Sequence, residues 1–259
     1  MSTDNEEQVL PPLGGGSLML AWQVRGKNVL VVGAGEVGLS RVDHLLVADA
    51  HITVISPEVH PTIKSYHNQG LLTLHERKYK HEDLTMYETD STRENVKGAS
   101  NEELLKFKND QFAMVLTCLP DYELSLTIYY ECLKLSLPVN LADRPKQCDF
   151  YFGSVLRNGP LQIMVSTNGK SPRLCAKVRR ELLEPLVGDL EMDKAVGTLG
   201  DLRKWVREKC PGEDGVKLRM EWVKGVTDLF GVKEWGSVGG ETMEKIKSFW
   251  PIVPKKKDI

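Results

Sequence analysis

The stretch GKNVLVVGAGEVGLSRVDHLL, residues 26–46, predicts the fold of the first half of the chain. Residues 28–32 form a continuous, mostly β-branched run, which is typical of a strand buried on both faces. The run breaks into a Gly-x-Gly-x-x-Gly turn and then continues with apolar residues at helical spacing, Val42, Leu45 and Leu46. A strand, a glycine turn and a helix in this order predict a parallel α/β sheet whose first turn binds a dinucleotide.

Each glycine of this turn has its own expected role. Gly33 permits the tight turn, Gly35 lets backbone amides approach a pyrophosphate, and Gly38 lets the helix pack close to the strand. The start of the helix adds partial positive charge for the phosphates. The cofactor-binding residues predicted here are Gly33, Ala34, Gly35, Glu36, Val37 and Gly38.

The residues after the second predicted strand, 52–56, bear on the choice of cofactor. An acidic residue usually stands there and binds the adenosine ribose. This chain has Ser56, followed by Pro57 and Glu58, and of these only Glu58 offers a carboxylate. No arginine stands beside them to bind a 2′-phosphate, so the sequence favours NAD over NADP.

Further patterns complete the fold class. Strands are predicted at residues 71–76, 112–120 and 137–142, with a helix at 123–134, and this alternation indicates a doubly wound parallel sheet. The backbone of Thr117, Cys118 and Leu119, at the end of a central strand, is expected to line the nicotinamide ribose. Beyond residue 150, β runs at 150–156 and 161–167 flank an Asn-Gly turn and predict an antiparallel hairpin. Helices are then predicted at residues 172–186, 192–208, 216–230 and 241–249.

A second glycine turn precedes a basic helix. Asn168-Gly169 forms a tight turn, and Ser171 before a proline predicts a helix start. Cations near a helix start oppose its dipole, so their presence suggests an external anion. A solvated basic face explains the spacing equally well. The residues predicted to bind substrate are Asn168, Gly169, Lys170, Ser171, Arg173, Lys177 and Arg180.

Composition excludes several classes of protein. The net charge of −2 does not suggest a nucleic-acid or membrane-surface protein. No apolar run approaches the roughly 20 residues that span a bilayer, and the acidic start is unlike a secretory signal. Five scattered cysteines fit reduced thiols in the cytoplasm and show no metal-ligand spacing. All six histidines lie between His44 and His81, so the part of the chain after residue 81 supplies no histidine as a metal ligand or general base.

Four segments in order resemble the sirohaem synthase family: GKNVLVVGAGEVGLSR, ITVISPEVH, VNLADRPKQCDFYFGS and STNGKSPRLCAKVRREL. Within the family they are most similar to the stand-alone fungal type, a bifunctional precorrin-2 dehydrogenase and sirohydrochlorin ferrochelatase. The resemblance implies an α/β homodimer with an N-terminal Rossmann-type domain, a central β-containing dimerisation region and a C-terminal helical domain. The expected division is a flexible lead-in at residues 1–17, the NAD-binding domain at 18–135, the dimerisation region at 136–170 and the helical substrate domain at 171–259.

The resemblance also assigns a catalytic residue. Asp143 matches the family's key aspartate, which implies a base for the oxidation of precorrin-2 by NAD and an acceptor for the pyrrole protons released when ferrous iron enters. Asp143 could instead have a purely structural role, in which it pairs with Arg144 or caps a turn. Asp149 is the other carboxylate that could serve as the base, but it is expected to brace the dimerisation strands. The many carboxylates of a tetrapyrrole would give the basic helix its external anion.

Two rival functions stay open. The first keeps the dehydrogenase and drops the chelatase, because Asp143 serves both steps. The second, from another class, is an NAD-sensing regulatory protein, which would need the glycine turn but neither the hairpin nor the basic helix.

Overall fold

The computed structural model describes residues 14–88 and 98–259. The chain divides into two compact units, Met1–Phe152 and Gly153–Ile259. Of the lead-in expected over residues 1–17, residues 1–13 lie outside the described residues. None of the helices in the two described ranges is long and apolar enough to cross a membrane.

The first unit is a five-stranded parallel sheet with helices, as predicted. The strands are β1 (Asn28–Ala34), β2 (His51–Val59), β3 (Thr73–His75), β4 (Phe112–Thr117) and β5 (Val139–Leu141), in the spatial order β3-β2-β1-β4-β5. The helices are α1 (Glu36–Leu46), α2 (Pro61–Asn68), α3 (Asn101–Asp110) and α4 (Tyr122–Leu135). The strand predicted at residues 71–76 is shorter than expected, because only Thr73–His75 pairs with β2.

The continuous apolar run of β1 is explained by burial on both faces of the sheet. Val29 and Val31 belong to one apolar cluster, whereas Leu30 and Val32 belong to another. Because successive side chains of a strand point to opposite faces, each face of the sheet has a core of its own.

The strand order places the predicted cofactor site. It reverses between β1 and β4, and ligands bind beyond the carboxyl ends of the strands at such a switch point. The carboxyl end of β5 lies beside that of β4 in the sheet, since Thr117 pairs with Leu141. β5 is thus an edge strand of the sheet, although the expected division puts it within the region 136–170.

The second unit begins with the predicted antiparallel hairpin. Its strands are β6 (Ser154–Asn158) and β7 (Leu161–Val165), and Asn158 pairs with Leu161 across the two-residue loop. Gly159 has a φ of +54°, a conformation that glycine adopts without strain.

Helices make up most of the rest of this unit. They are α5 (Pro172–Val178), α6 (Glu184–Val187), α7 (Met192–Lys209), α8 (Val216–Thr227), α9 (Val232–Trp235) and α10 (Gly240–Ser248). The single helix predicted at 172–186 is helical throughout, but a π-helical turn, Arg179–Leu183, separates α5 from α6. The sequence did not predict α9, because four residues are too few to show helical spacing.

Candidate cofactor and substrate sites

Two glycines of the first turn are required by the chain itself. Gly33 has a φ of +102°, and a Cβ there would overlap the carbonyl oxygen of Cys118. A Cβ on Gly38 would overlap the carbonyl oxygen of Gly33. Gly35 differs, because a Cβ there would meet nothing within 4 Å. The space in front of Gly35 is therefore open, as the approach of a pyrophosphate requires.

The surroundings of this turn fit a dinucleotide. α1 begins at Glu36 with Gly35 as its N-cap, which offers no capping side chain, so the first amides of the helix are left for a ligand or water. The amide of Cys118 donates to the carbonyl oxygen of Val32 over 2.7 Å, which places the end of β4 beside the turn. Thr117 is buried, and its Oγ1 has no hydrogen-bond partner among the described residues.

The second strand differs from its predicted length. β2 continues to Val59, which pairs with Ala34, so Ser56 lies inside the strand rather than at its end. Ser56 is buried, and its hydroxyl donates to the carbonyl oxygen of Glu58 over 2.6 Å. Pro57 and Glu58 are exposed. Of the three predicted residues, Glu58 alone keeps an exposed polar side chain.

Asp143 lies at the carboxyl end of β5 in an uncommon conformation. Its φ is +59°, and it occupies the third position of a tight turn in which the amide of Arg144 donates to the carbonyl oxygen of Leu141. Backbone strain of this kind concentrates at functional sites. The amide of Ala142 donates to the carbonyl oxygen of Thr117 over 3.0 Å, so the Asp143 turn and the predicted nicotinamide segment are adjacent.

The carboxylate of Asp143 is exposed and makes no ion pair or hydrogen bond with any described residue. The ion pair with Arg144, which would give Asp143 a structural role, is not formed. The guanidinium of Arg144 stacks instead on the ring of Tyr122, with its Cζ 4.1 Å from the centroid. The competing carboxylate, Asp149, is in use: its Oδ2 accepts a hydrogen bond from the amide of Val139 over 2.9 Å. Asp149 therefore braces β5, which lies within the region 136–170 where bracing was expected.

Sequence reasoning missed Arg41, one turn after Gly38 on α1. Its Cζ lies 4.3 Å from the ring centroid of Phe152, and its buried Nε has no hydrogen-bond partner in the described part of the chain. Burial raises the pKa of the nearby Cys118 thiol to about 11, with the Arg41 guanidinium acting in the opposite direction. Cys118 is thus a neutral thiol at physiological pH and not a nucleophile. The only sequence signal for Arg41 is a cation on the sheet-facing side of α1.

In the second unit, the predicted glycine turn and helix start are both present. Asn168 and Gly169 have φ values of +52° and +73°. Ser171 caps α5, because its hydroxyl accepts the amide of Leu174, and its own amide donates to Thr167 Oγ1 over 2.9 Å.

The basic side chains of this segment divide into two kinds. Lys177 and Arg180 both pair with Glu181, at 3.7 and 3.3 Å. Lys170 and Arg173 are exposed and form no ion pair with the residues described. The pairing of Lys177 could have been predicted, since Glu181 follows it at the i,i+4 spacing of a helix. Lys170 and Arg173 are therefore the cations most available to an external anion.

Groups of three or more metal-ligating side chains are absent from residues 14–88 and 98–259.

Comparisons with known proteins agree with these observations. Three family models match successive parts of the chain: putative NAD(P)-binding over residues 20–154, sirohaem biosynthesis protein central over 158–184, and sirohaem biosynthesis protein C-terminal over 190–253. A solved structure titled SirC, precorrin-2 dehydrogenase, superimposes with a TM-score of 0.60 at 18% identity, and covers 88% of this chain and 96% of its own. That likeness concerns the fold.

Two fungal siroheme biosynthesis proteins match nearly end to end. The one from Schizosaccharomyces pombe is 35% identical over 240 residues, which are 92% of this chain and 81% of the relative. The one from Saccharomyces cerevisiae is 38% identical over 233 residues, 84% of each chain. With a glycine turn that leaves space for a dinucleotide and three family models in the expected order, these matches show that the chain belongs to the sirohaem synthase family.

Proposed function

We propose that this protein oxidises precorrin-2 to sirohydrochlorin with NAD and then inserts ferrous iron to give sirohaem. The observation that carries the proposal is the carboxylate of Asp143, which has no partner among the described residues and lies next to the segment 117–119, in a member of this family. NAD would be held by the glycine turn, the start of α1 and the segment 117–119, and would supply the acceptor for a hydride.

Asp143 has the chemistry that both steps need. Oxidation of a macrocycle carbon releases a hydride and a proton, and Asp143 is proposed to take the proton as general base. Insertion of a ferrous ion releases two pyrrole protons, which the same carboxylate can accept. Lys170 and Arg173 are proposed to bind substrate carboxylates. Asn168 and Gly169 would shape the turn that precedes them, and Ser171 the helix start between them. Lys177 and Arg180 are given a lesser role because both pair with Glu181.

NAD is proposed over NADP. Ser56 is engaged with the carbonyl oxygen of Glu58, and the exposed carboxylate of Glu58 would bind a ribose hydroxyl but repel a 2′-phosphate. Comparing kcat/KM for the two cofactors tests this choice, and equal values would refute it.

A homodimer in the cytoplasm is also proposed. Leu174, Leu182 and Leu186, which lie on α5, the π-helical turn and α6, are 51, 63 and 65% exposed. Exposed leucines of this kind are suited to a second copy of the chain. Sedimentation of wild type and Leu182→Glu tests it: a monomeric variant supports this surface, and a wild-type monomer refutes the dimer.

All five cysteines are free thiols, as in a reducing compartment.

The function is tested with purified protein and enzymatically generated precorrin-2 under anaerobic conditions. NADH formation on addition of NAD, then sirohaem formation faster than spontaneous metallation on addition of ferrous iron, would support both activities. Metallation at the background rate would leave the dehydrogenase alone, and absence of NADH with NAD bound would favour a regulatory protein. Asp143→Asn should keep the fold and NAD binding but lose dehydrogenation.

A further inference from the structure

The turn that carries Asp143 has few contacts of its own. The third position of a turn with positive φ usually takes glycine or asparagine, and here an aspartate with a φ of +59° occupies it. The hydrogen bond that closes the turn, from the Arg144 amide to the Leu141 carbonyl oxygen, is long at 3.3 Å, and a second bond joins the Ala142 amide to Thr117. The Asp143 side chain has no hydrogen bond or ion pair with any described residue. Contacts made by other side chains to the turn therefore bear on where the carboxylate stands.

The thiol of Cys148 touches both ends of this turn. Its Sγ lies 3.2 Å from the carbonyl oxygen of Leu141 and 3.1 Å from that of Arg144, and one S–H proton can be shared between them. The sulfur also accepts hydrogen bonds from the amide of Leu141 over 3.3 Å and from Nδ2 of Asn140 over 3.4 Å. One side chain thus bridges the residue two before Asp143 and the residue after it.

The chemistry of Cys148 suits this role. Burial raises the pKa of its thiol, so the proton needed to donate to the carbonyl oxygens is retained at physiological pH. The segment that carries it is anchored separately, because Asp149 binds the amide of Val139 and Asn140 Nδ2 donates to the carbonyl oxygen of Phe150 over 2.8 Å. Cys148 is therefore a fixed point against which the turn can be held.

We propose that Cys148 is a positioning residue, which holds the Asp143 turn in its left-handed conformation so that the carboxylate stays directed at the reacting macrocycle. This rests on the proposed function, in which Asp143 is the base. The thiol does not touch substrate and forms no covalent bond with it. Its loss should lower the rate of the chemical step without weakening cofactor binding, since the glycine turn and α1 do not depend on it.

Cys148→Ala and Cys148→Ser are compared with Cys132→Ala, a control in the same unit. Cys132, on α4, is fully buried in the cluster against which Cys148 packs, and its thiol forms no hydrogen bond with the described residues of the Asp143 turn, so its truncation measures lost packing alone. Misplacing a catalytic group by about 1 Å can cost about a hundredfold in rate. Cys148→Ala should thus lower the kcat for NADH formation by about tenfold or more, with KM for precorrin-2 and Kd for NAD changed by less than about twofold. Cys148→Ser should recover most of that kcat, because a hydroxyl donates and accepts at the same place.

The outcomes separate the positioning role of Cys148 from the proposal that Asp143 is the base. If Asp143→Asn is inactive while Cys148→Ala keeps the wild-type kcat, the positioning role is refuted and the base stands. If Asp143→Asn keeps full activity, both fail together. If Cys148→Ala and Cys132→Ala lose kcat equally, or if serine fails to recover what alanine loses, the effect is one of packing and the proposal is refuted. Thermal midpoints of all the variants show whether each is folded, and Cys148→Val, which fills the site but cannot donate a hydrogen bond, replaces the alanine variant if that does not fold.

Discussion

Replacing Asp143 with glycine should raise or preserve stability while it abolishes oxidation. A left-handed conformation costs an L residue about 1–2 kcal/mol, less for aspartate, and glycine escapes this cost. Glycine in turn loses about 0.5–1 kcal/mol more backbone entropy on folding than other residues. Because the Asp143 carboxylate has no partner among the described residues to lose, the free energy of unfolding should rise by about 0 to 1.5 kcal/mol, the difference of those terms, and for an aspartate by an amount near the lower end.

The neighbouring carboxylate supplies the matched control. Asp149→Ala removes the hydrogen bond to the amide of Val139 and should cost about 1 kcal/mol. In a unit of this size that corresponds to a fall of about 2–4 °C in the unfolding midpoint. Far-UV circular dichroism during heating, without cofactor, measures both variants, and NADH formation from precorrin-2 measures activity.

The reasoning about Asp143 would be refuted by either of two results. A fall in the midpoint of Asp143→Gly as large as that of Asp149→Ala would mean that the Asp143 side chain stabilises the fold. Wild-type NADH formation by Asp143→Gly would mean that no base is needed at that position. A stable and inactive variant is the expected combination, and it is the usual sign of a strained residue kept for function.

Three further predictions concern other parts of the sites. Gly33→Ala should fail to fold or lose NAD binding, because its Cβ would overlap the Cys118 carbonyl oxygen. Gly35→Ala should keep its unfolding midpoint and lose affinity for NAD, which a titration of NAD measures. Equal unfolding midpoints for the two variants would contradict this. Arg173→Ala should raise KM for precorrin-2 more than Lys177→Ala does, because Lys177 already pairs with Glu181, and the reverse order in steady-state kinetics would contradict the assignment. The Cys118 thiol, with its pKa raised to about 11, should resist alkylation by iodoacetamide at pH 8 and react as the pH approaches 11; mass spectrometry of its peptide measures this, and rapid labelling at pH 8 would show that the thiol is not buried.

Several features of this protein were predictable from sequence because their causes are local. The glycine spacing at residues 33–38 predicts the turn, since Gly33 adopts a positive φ and a Cβ on Gly38 would overlap the carbonyl oxygen of Gly33, five residues earlier. Ser171 before a proline predicts the start of α5 by the same kind of short-range capping. The hairpin follows from the φ that Gly159 adopts between two β runs.

Other predictions failed in their details where distant residues decide. The second strand was expected to end at Ser56, but pairing of Val59 with Ala34 carries it further and leaves the hydroxyl of Ser56 engaged. Asp149 was expected to brace the dimerisation strands, and its actual partner, the amide of Val139 ten residues earlier in β5, is fixed by the fold. Neither outcome is visible in composition or spacing.

By itself, the sequence determined the sheet, the dinucleotide turn and the identity of Asp143 as a candidate base. Only the tertiary structure decided how that aspartate stands. It lies in a left-handed turn that adjoins Thr117 and is bound at both ends by Cys148, and its carboxylate has no partner in the described part of the chain. The physical reason is that backbone conformation and helix starts depend on residues a few positions apart. The free or paired state of a side chain depends on which groups the folded chain brings within about 3 Å of it.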